Sequence, residues 1–184
     1  MRSGLAERAP RRFKVEGYGR AAVLVPWLVG PRGDFRVVLT VRSAHLQHHP
    51  GQVSFPGGRQ EPEDATTLET ALREAHEEIG LEPSRVLVLG RLDDQISRPS
   101  RSVVTPYVGV VEGDLELRPD DAGEVAHPFA VDPAAWLRGE GYTRREAVDG
   151  GFPWTDHRFL HGEHLVWGLT GRVLRQFLDL LGEP

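Results

Sequence analysis

Residues 71–81 read ALREAHEEIGL, and three glutamates, Glu74, Glu77 and Glu78, fall close together within them. On a helix of 3.6 residues per turn the three occupy an arc of roughly 100°. Like charges at such spacings repel, and no lysine or arginine stands four residues beyond any of them. The residues just before the helix, GGRQEPED, add a Gly-Gly turn and further carboxylates. A solvated helix face is one account of this charge. The other is a site for a hard divalent cation, magnesium or manganese, which takes oxygen ligands and leaves positions for water and phosphate oxygens.

The elements that position these carboxylates are legible on either side. Leu68, Ala71, Leu72, Ala75 and Ile79 recur at helical spacing, Thr66 with Glu69 forms a capping box, and Gly80 stands at the C-terminal cap. The apolar arc adjoins the glutamate arc, so the glutamates are expected to border the core without facing it. Upstream, AAVLVPWLV (21–29) and RVVLTV (36–41) flank the turn signal GPRGD and predict a hairpin of buried strands. A His-rich loop to Gly51, a short extended piece QVSF and a turn PGG follow.

Downstream, RVLVLGRLDD and SVVTPYVGVV predict two more strands joined by SRPSR, while ELRP, EVAHPFAV and the segment around Trp136 read as less regular. In VWGLTGRVLRQFLDLL, the residues Val166, Leu169, Val173, Leu174, Phe177 and Leu181 form one stripe and predict a second helix packed on the sheet. The fold class is α/β, a mixed sheet between helices, in a single domain over 1–184 with residues 1–18 as an arm free to be flexible.

Composition narrows the function classes. A net charge of −5 argues against general binding of nucleic acid or an anionic membrane, because both need a basic surface. Local basic spots are still allowed, and all but one of the 22 basic residues are arginine. With no cysteine there is no disulfide, thiolate nucleophile or thiolate-held zinc. The N-terminus lacks the apolar core of a signal peptide and no run reaches the length of a membrane span, so a cytoplasmic protein is expected.

Residues 57–81, GGRQEPEDATTLETALREAHEEIGL, resemble the Nudix box of the Nudix hydrolases. The half from Arg73 to Leu81 matches at every specified position. In the first half, counting from Gly58, the acidic position falls on Asp64 with one residue more than the pattern before Arg73, which leaves Glu63 and Asp64 as alternative partners of Arg73. The resemblance implies an α/β/α sandwich and a metal-dependent hydrolase of nucleoside diphosphates linked to another moiety. It implies that Glu74, Glu77 and Glu78 bind the metal with the carbonyl of Gly58, and that Arg73 holds the loop carboxylate and helix in register. Glu124, in GEVAHPF, falls where these enzymes often place a further acidic residue, and is the candidate general base.

A second stretch, LTVRSAHLQHHPGQVSFPGG (39–58), looks like the signature of the coenzyme A pyrophosphatase branch of that family. Gln47 stands where the pattern has arginine. The resemblance makes Arg42, Ser43, His45, His49, Phe55 and Gly57 the candidate substrate-binding residues, with Arg42 as the phosphate contact. The alternative is a structural arginine between strand end and loop. His45, His48 and His49 could form a transition-metal site, but no acidic partner accompanies them, so a polar loop or a phosphate contact is the better expectation. Trp167 and Tyr107 are either stacking partners for adenine or core. The expected substrate is coenzyme A or a derivative, with NADH or ADP-ribose and a non-catalytic nucleotide-binding domain as alternatives, and a homodimer is one assembly the sequence allows.

Overall fold

The computed structural model describes residues 5, 8–30, 33–45, 51–113, 115–119, 123–149 and 151–182. The chain runs β1 (Gly19–Val29), β2 (Phe35–Arg42), β3 (Val53–Ser54), β4 (Gly57–Arg59), helix α1 (Thr67–Ile79), β5 (Val86–Arg91), β6 (Gln95–Ser97), β7 (Ser102–Glu112) and β8 (Val125–Val131). A short helix α2 (Ala134–Leu137), strands β9 (Tyr142–Asp149), β10 (Phe152–His161) and β11 (His164–Val166), and helix α3 (Gly168–Leu181) complete it.

The apolar runs at 21–29 and 36–41 form the expected hairpin, with Trp27 opposite Val37. β1 also runs parallel to β7 over its whole length, from Gly19 opposite Ser102 to Val29 opposite Glu112. The central order is β3-β2-β1-β7-β5, with β4 on β1, β6 on β7 and β8 on β2. One parallel pair among antiparallel ones makes the sheet mixed, as expected.

Alternation along the strands sends side chains into two cores. Val25, Val37 and Leu39 pack with Val173, Leu174 and Phe177 of α3 on one side. Ala22, Leu24, Leu28 and Val38 pack with Ala71, Ala75 and Ile79 of α1 on the other. Helices on both faces of a sheet give the α/β/α sandwich, and β1, buried from both sides, is its middle strand. Helix α1 starts where its cap predicts: the Thr66 hydroxyl accepts the Glu69 N–H, and Gly80 takes the left-handed conformation at φ 70°.

Three local expectations are corrected, and one sheet is new. PGG is not only a turn: Gly57, Gly58 and Arg59 form β4, paired with Val23, Ala22 and Ala21 of β1. EVAHPFAV holds a regular strand, β8, along the edge of β2. Val166 belongs to β11 and not to the final helix, which starts two residues later. A second sheet, order β11-β10-β9, was not anticipated. Its Phe159 and Val166 enter the core beneath α3, which fixes it to the main body.

The described part of the N-terminal arm is strapped to the sheet by two adjacent aspartates. Asp93 accepts the Arg11 N–H at 3.0 Å and pairs with Arg8 at 2.9 Å. The fully buried Asp94 carboxylate accepts from the Phe13 N–H at 2.9 Å and the Thr105 hydroxyl at 2.8 Å, and pairs with Arg91. Removing one member of such a network strands the others in a poorly solvated site. Asp94→Ala is therefore expected to lower stability by about 3–5 kcal/mol, read as a shift in the urea unfolding midpoint; a loss within experimental error would show that the network is not a fastening.

Candidate active site

The carboxylate helix lies with one flank against β4, and the closeness of the two decides the geometry. A Cβ on Gly58 would collide with the Glu74 carboxylate, and a Cβ on Gly57 would collide with the Ala22 carbonyl. Gly57 also takes φ 154°, which side chains rarely adopt. Glycine at 58 lets the backbone of β4 approach the helix, glycine at 57 lets it lie close against β1, and the Gly57 N–H donates to Glu78 Oε2 at 3.1 Å. Glu78 is 5% exposed, so the expectation that the glutamates only border the core is corrected for this residue. The one residue between helical and strand packing is turned inward because β4 covers it.

The three glutamates do not converge. Glu74 and Glu78 both face β4, whereas Glu77 is 54% exposed and paired with Arg73 at 2.9 Å. Among the described residues, no three histidine, aspartate or glutamate side chains are grouped so as to hold a metal. Arg73 is the organising cation: it contacts Glu74 at 3.0 Å and Asp64 at 3.0 Å, and donates to the Arg59 carbonyl at 3.2 Å. The loop partner left open between Glu63 and Asp64 is thus Asp64, which also accepts from the Thr70 hydroxyl and the Glu61 N–H.

Electrostatics separates these carboxyls. Its hydrogen bond from Arg73 holds Asp64 down at about 2. Burial pushes Glu78 up to about 8, against the Gly57 hydrogen bond that favours its charged form, with the Glu74 and Glu124 charges adding to the rise and Arg42 opposing it. Burial likewise raises Glu74. Two adjacent carboxyls that resist ionisation beside a backbone-rich strand form a place where added positive charge is strongly favoured.

Of the remaining candidates, Arg42 and Glu124 are brought to this site. Glu124 lies 4.0 Å from the Arg42 guanidinium, and its carbonyl accepts the N–H of the buried Ser43 at 2.8 Å. His45 is exposed, with its ring near Gly123. Phe55 is buried in the core with Val25 and Phe177, so its expected substrate contact is corrected to packing. Gly57 acts through its backbone. Gln47, His48 and His49 lie outside the described residues. Tyr107 is half-buried and hydrogen-bonded to Thr67, and Trp167 is exposed at the start of α3, on the small sheet.

The sequence did not single out the role of β4. The PGG triplet carried the signal, since paired glycines also mark close backbone approach.

Comparison with known proteins agrees with this geometry. A family model described as the NUDIX domain matches residues 19–148. The chain is 40% identical over 164 residues to a mouse protein named mitochondrial coenzyme A diphosphatase NUDT8, covering 88% of this chain and 77% of the mouse protein. It is 37% identical over 170 residues to Nudix hydrolase 15, mitochondrial, of Arabidopsis thaliana, covering 90% of this chain but only 58% of that protein. Among solved structures, a Nudix hydrolase from M. smegmatis, RenU, superposes with a TM-score of 0.53 at 24% identity, over 64% of this chain and 72% of its own, which is a likeness of fold.

The Arg73–Asp64 pair carries a pH signature. Because the Asp64 pKa is lowered on folding from the ordinary 3.8, its contribution to stability is present above about pH 4 and is lost as pH falls towards 2. Arg73→Met should be about 2 kcal/mol less stable than the parent at pH 7, and the gap between their urea midpoints should narrow from pH 4 to pH 2. A gap independent of pH would assign the loss to packing.

Proposed function

The chain belongs to the Nudix hydrolase family, and from that premise we propose that it hydrolyses the diphosphate of coenzyme A or an acyl derivative, using magnesium or manganese held at Glu74 and Glu78. The observation that carries the chemistry is the pair of carboxyls, Glu78 buried and Glu74 half-buried, packed on Gly57 and Gly58. Their donors are all oxygen, which fits a hard cation, and the raised Glu78 measures how poorly the site tolerates negative charge by itself. The Gly58 carbonyl would add a ligand, and Glu77 joins only by leaving Arg73. When bound, the cation would neutralise the diphosphate and lower the pKa of a water molecule.

The chain's own residues supply the rest. Gly57 fixes Glu78 through its N–H, and Arg73 ties helix α1 to Asp64 and to the end of β4. The Arg42 guanidinium, which acts electrostatically on Glu78, offers a fork for a phosphate oxygen. Glu124, which reaches both Glu74 and Glu78 electrostatically, is suited to take the proton of the attacking water. Water oxygen bonds to one phosphorus, the bond from that phosphorus to the bridging oxygen breaks, and the products are 3′,5′-ADP and 4′-phosphopantetheine or its acyl form.

The substrate is supported by the 39–58 motif and by the name of the mouse relative. Gln47, in place of the motif's arginine, favours a second reading in which another dinucleotide such as NADH or ADP-ribose is cleaved. A non-catalytic nucleotide-binding domain is the weaker alternative, since all three glutamates are retained. The substrate is a small molecule, with no nucleic acid or membrane partner, and among the described residues no helix is long and apolar enough to cross a membrane. A homodimer and a cytoplasmic location are compatible with this reading.

Incubation with coenzyme A, dephospho-coenzyme A, NADH and ADP-ribose in each metal, with chromatography of the products, tests the substrate. Release of 3′,5′-ADP from coenzyme A faster than cleavage of the others is expected; faster cleavage of the others would transfer the assignment to the second reading.

Glu78→Gln tests the site. It should lower turnover at least about a hundredfold. A carboxyl raised from 4.5 to about 8 on folding costs stability progressively as pH rises between those values. The metal-free variant should therefore be more stable than its parent at pH 8 and lose that gain as pH falls below 4.5, by thermal melts. Full activity, or no pH-dependent gain, would remove Glu78 from the site.

A further inference from the structure

The small sheet carries a concavity of its own, apart from the glutamates. Its volume is about 580 Å³, and its walls include Thr143, Arg144, Arg145, Arg158, Leu160 and Leu165. That size falls in the range of small-molecule sites. Across β9 and β10, Thr143 stands opposite Arg158, and across β10 and β11, Leu160 stands opposite Leu165. Alternate residues of a strand share a face, so Arg158 and Leu160 point away from Phe159, which enters the core. β9 is the edge strand of this sheet, which lets Arg144 as well as Arg145 line the rim.

The surface combines apolar area with positive charge. Leu160 is 52% exposed, Leu165 37% and Trp167 40%, and the Arg158 guanidinium lies 5.9 Å from the Trp167 ring centroid. Arg158 is fixed by Asp156 at 2.7 Å, and Asp156 is itself buried and accepts the Gly168 N–H. The Asp156 carboxylate is therefore committed inward. Arg144 and Arg145 are exposed, and form no ion pair among the described residues. No carboxylate belongs to the walls.

This combination is selective. In a chain of net charge −5, the two guanidiniums of Arg144 and Arg145, beside the Asp156-paired Arg158 and exposed leucines, favour an anion with an apolar body. A second copy docking by the same face would set arginines against arginines, which opposes self-association there.

We propose that this face of the β9–β10–β11 sheet binds an anionic amphiphile, a single-chain alkyl carboxylate whose head pairs with the arginines and whose chain lies on Leu160 and Leu165. The site is separate from the diphosphate chemistry and stands or falls independently of it.

The test titrates the full chain with dodecanoate below its micelle concentration, followed by calorimetry and tryptophan fluorescence. Saturable binding at one site per chain is expected, weakened at least about tenfold in R144E/R145E and in Leu160→Ser. Dodecanol and dodecyltrimethylammonium should bind more weakly than dodecanoate. Both variants change exposed residues and should keep the parent's hydrolytic rate, and Leu160→Ser keeps the test open if the charge reversal impairs folding. Absence of saturable binding, undiminished binding in both folded variants, or equal binding of the cationic amphiphile would each overturn the proposal. Binding to phosphatidylglycerol vesicles without binding of monomeric dodecanoate would overturn it in favour of a membrane surface.

Discussion

The hydrogen bond from the Gly57 N–H to Glu78 is the contact on which the rest of the site depends. It requires a strand held tightly between β1 and helix α1, with a Cβ at Gly57 excluded by Ala22 and Val23 of β1 and a Cβ at Gly58 excluded by Glu74 of the helix. That placement turns a glutamate from the helix border into a buried group. Burial disfavours charge on it, and only something cationic placed in the same space can restore that charge.

The fold serves this arrangement. β1 is held by β2 on one side and by β7 on the other, and it receives β4 over Ala21–Val23. Helix α1 is packed on the same strand through Ala71, Ala75 and Ile79. The two halves of the site, strand and helix, are thus referred to one rigid element, and Arg73 adds a polar tie between them. The aspartates that fasten the N-terminal arm join the same frame, since Arg20 of β1 donates to Thr105, pairs with Asp94 and accepts the Gln60 N–H at the end of β4.

What the sequence disclosed follows from how local each signal is. The cap at Thr66, the stop at Gly80 and the helical stripe from Leu68 to Ile79 are set by neighbours within a few residues, and each appears where its pattern placed it. The β1–β2 hairpin was legible because both strands are apolar on both faces. β9 and β10 were not: half of YTRREAVD is charged, and its strand character comes from pairing with β10. Val166 continued the helical stripe only by coincidence of spacing.

The site was legible in its residue types more than in its geometry. Spacing alone put Glu77 and Glu78 on equal terms, yet Arg73 draws one outward while β4 encloses the other. Asp64 was chosen over Glu63 by Thr70 and the turn at Glu61, contacts that no linear pattern reports. Phe55 lies within the 39–58 motif and yet belongs to the core.

The central claim is that cation binding restores the charge of Glu78. Calorimetric titration of manganese into the metal-free protein at pH 7, in two buffers of different ionisation enthalpy, measures the protons exchanged. The account predicts release of about one proton per cation bound, abolished in the Glu78→Gln variant. Binding without proton release, or release that persists in that variant, would contradict it.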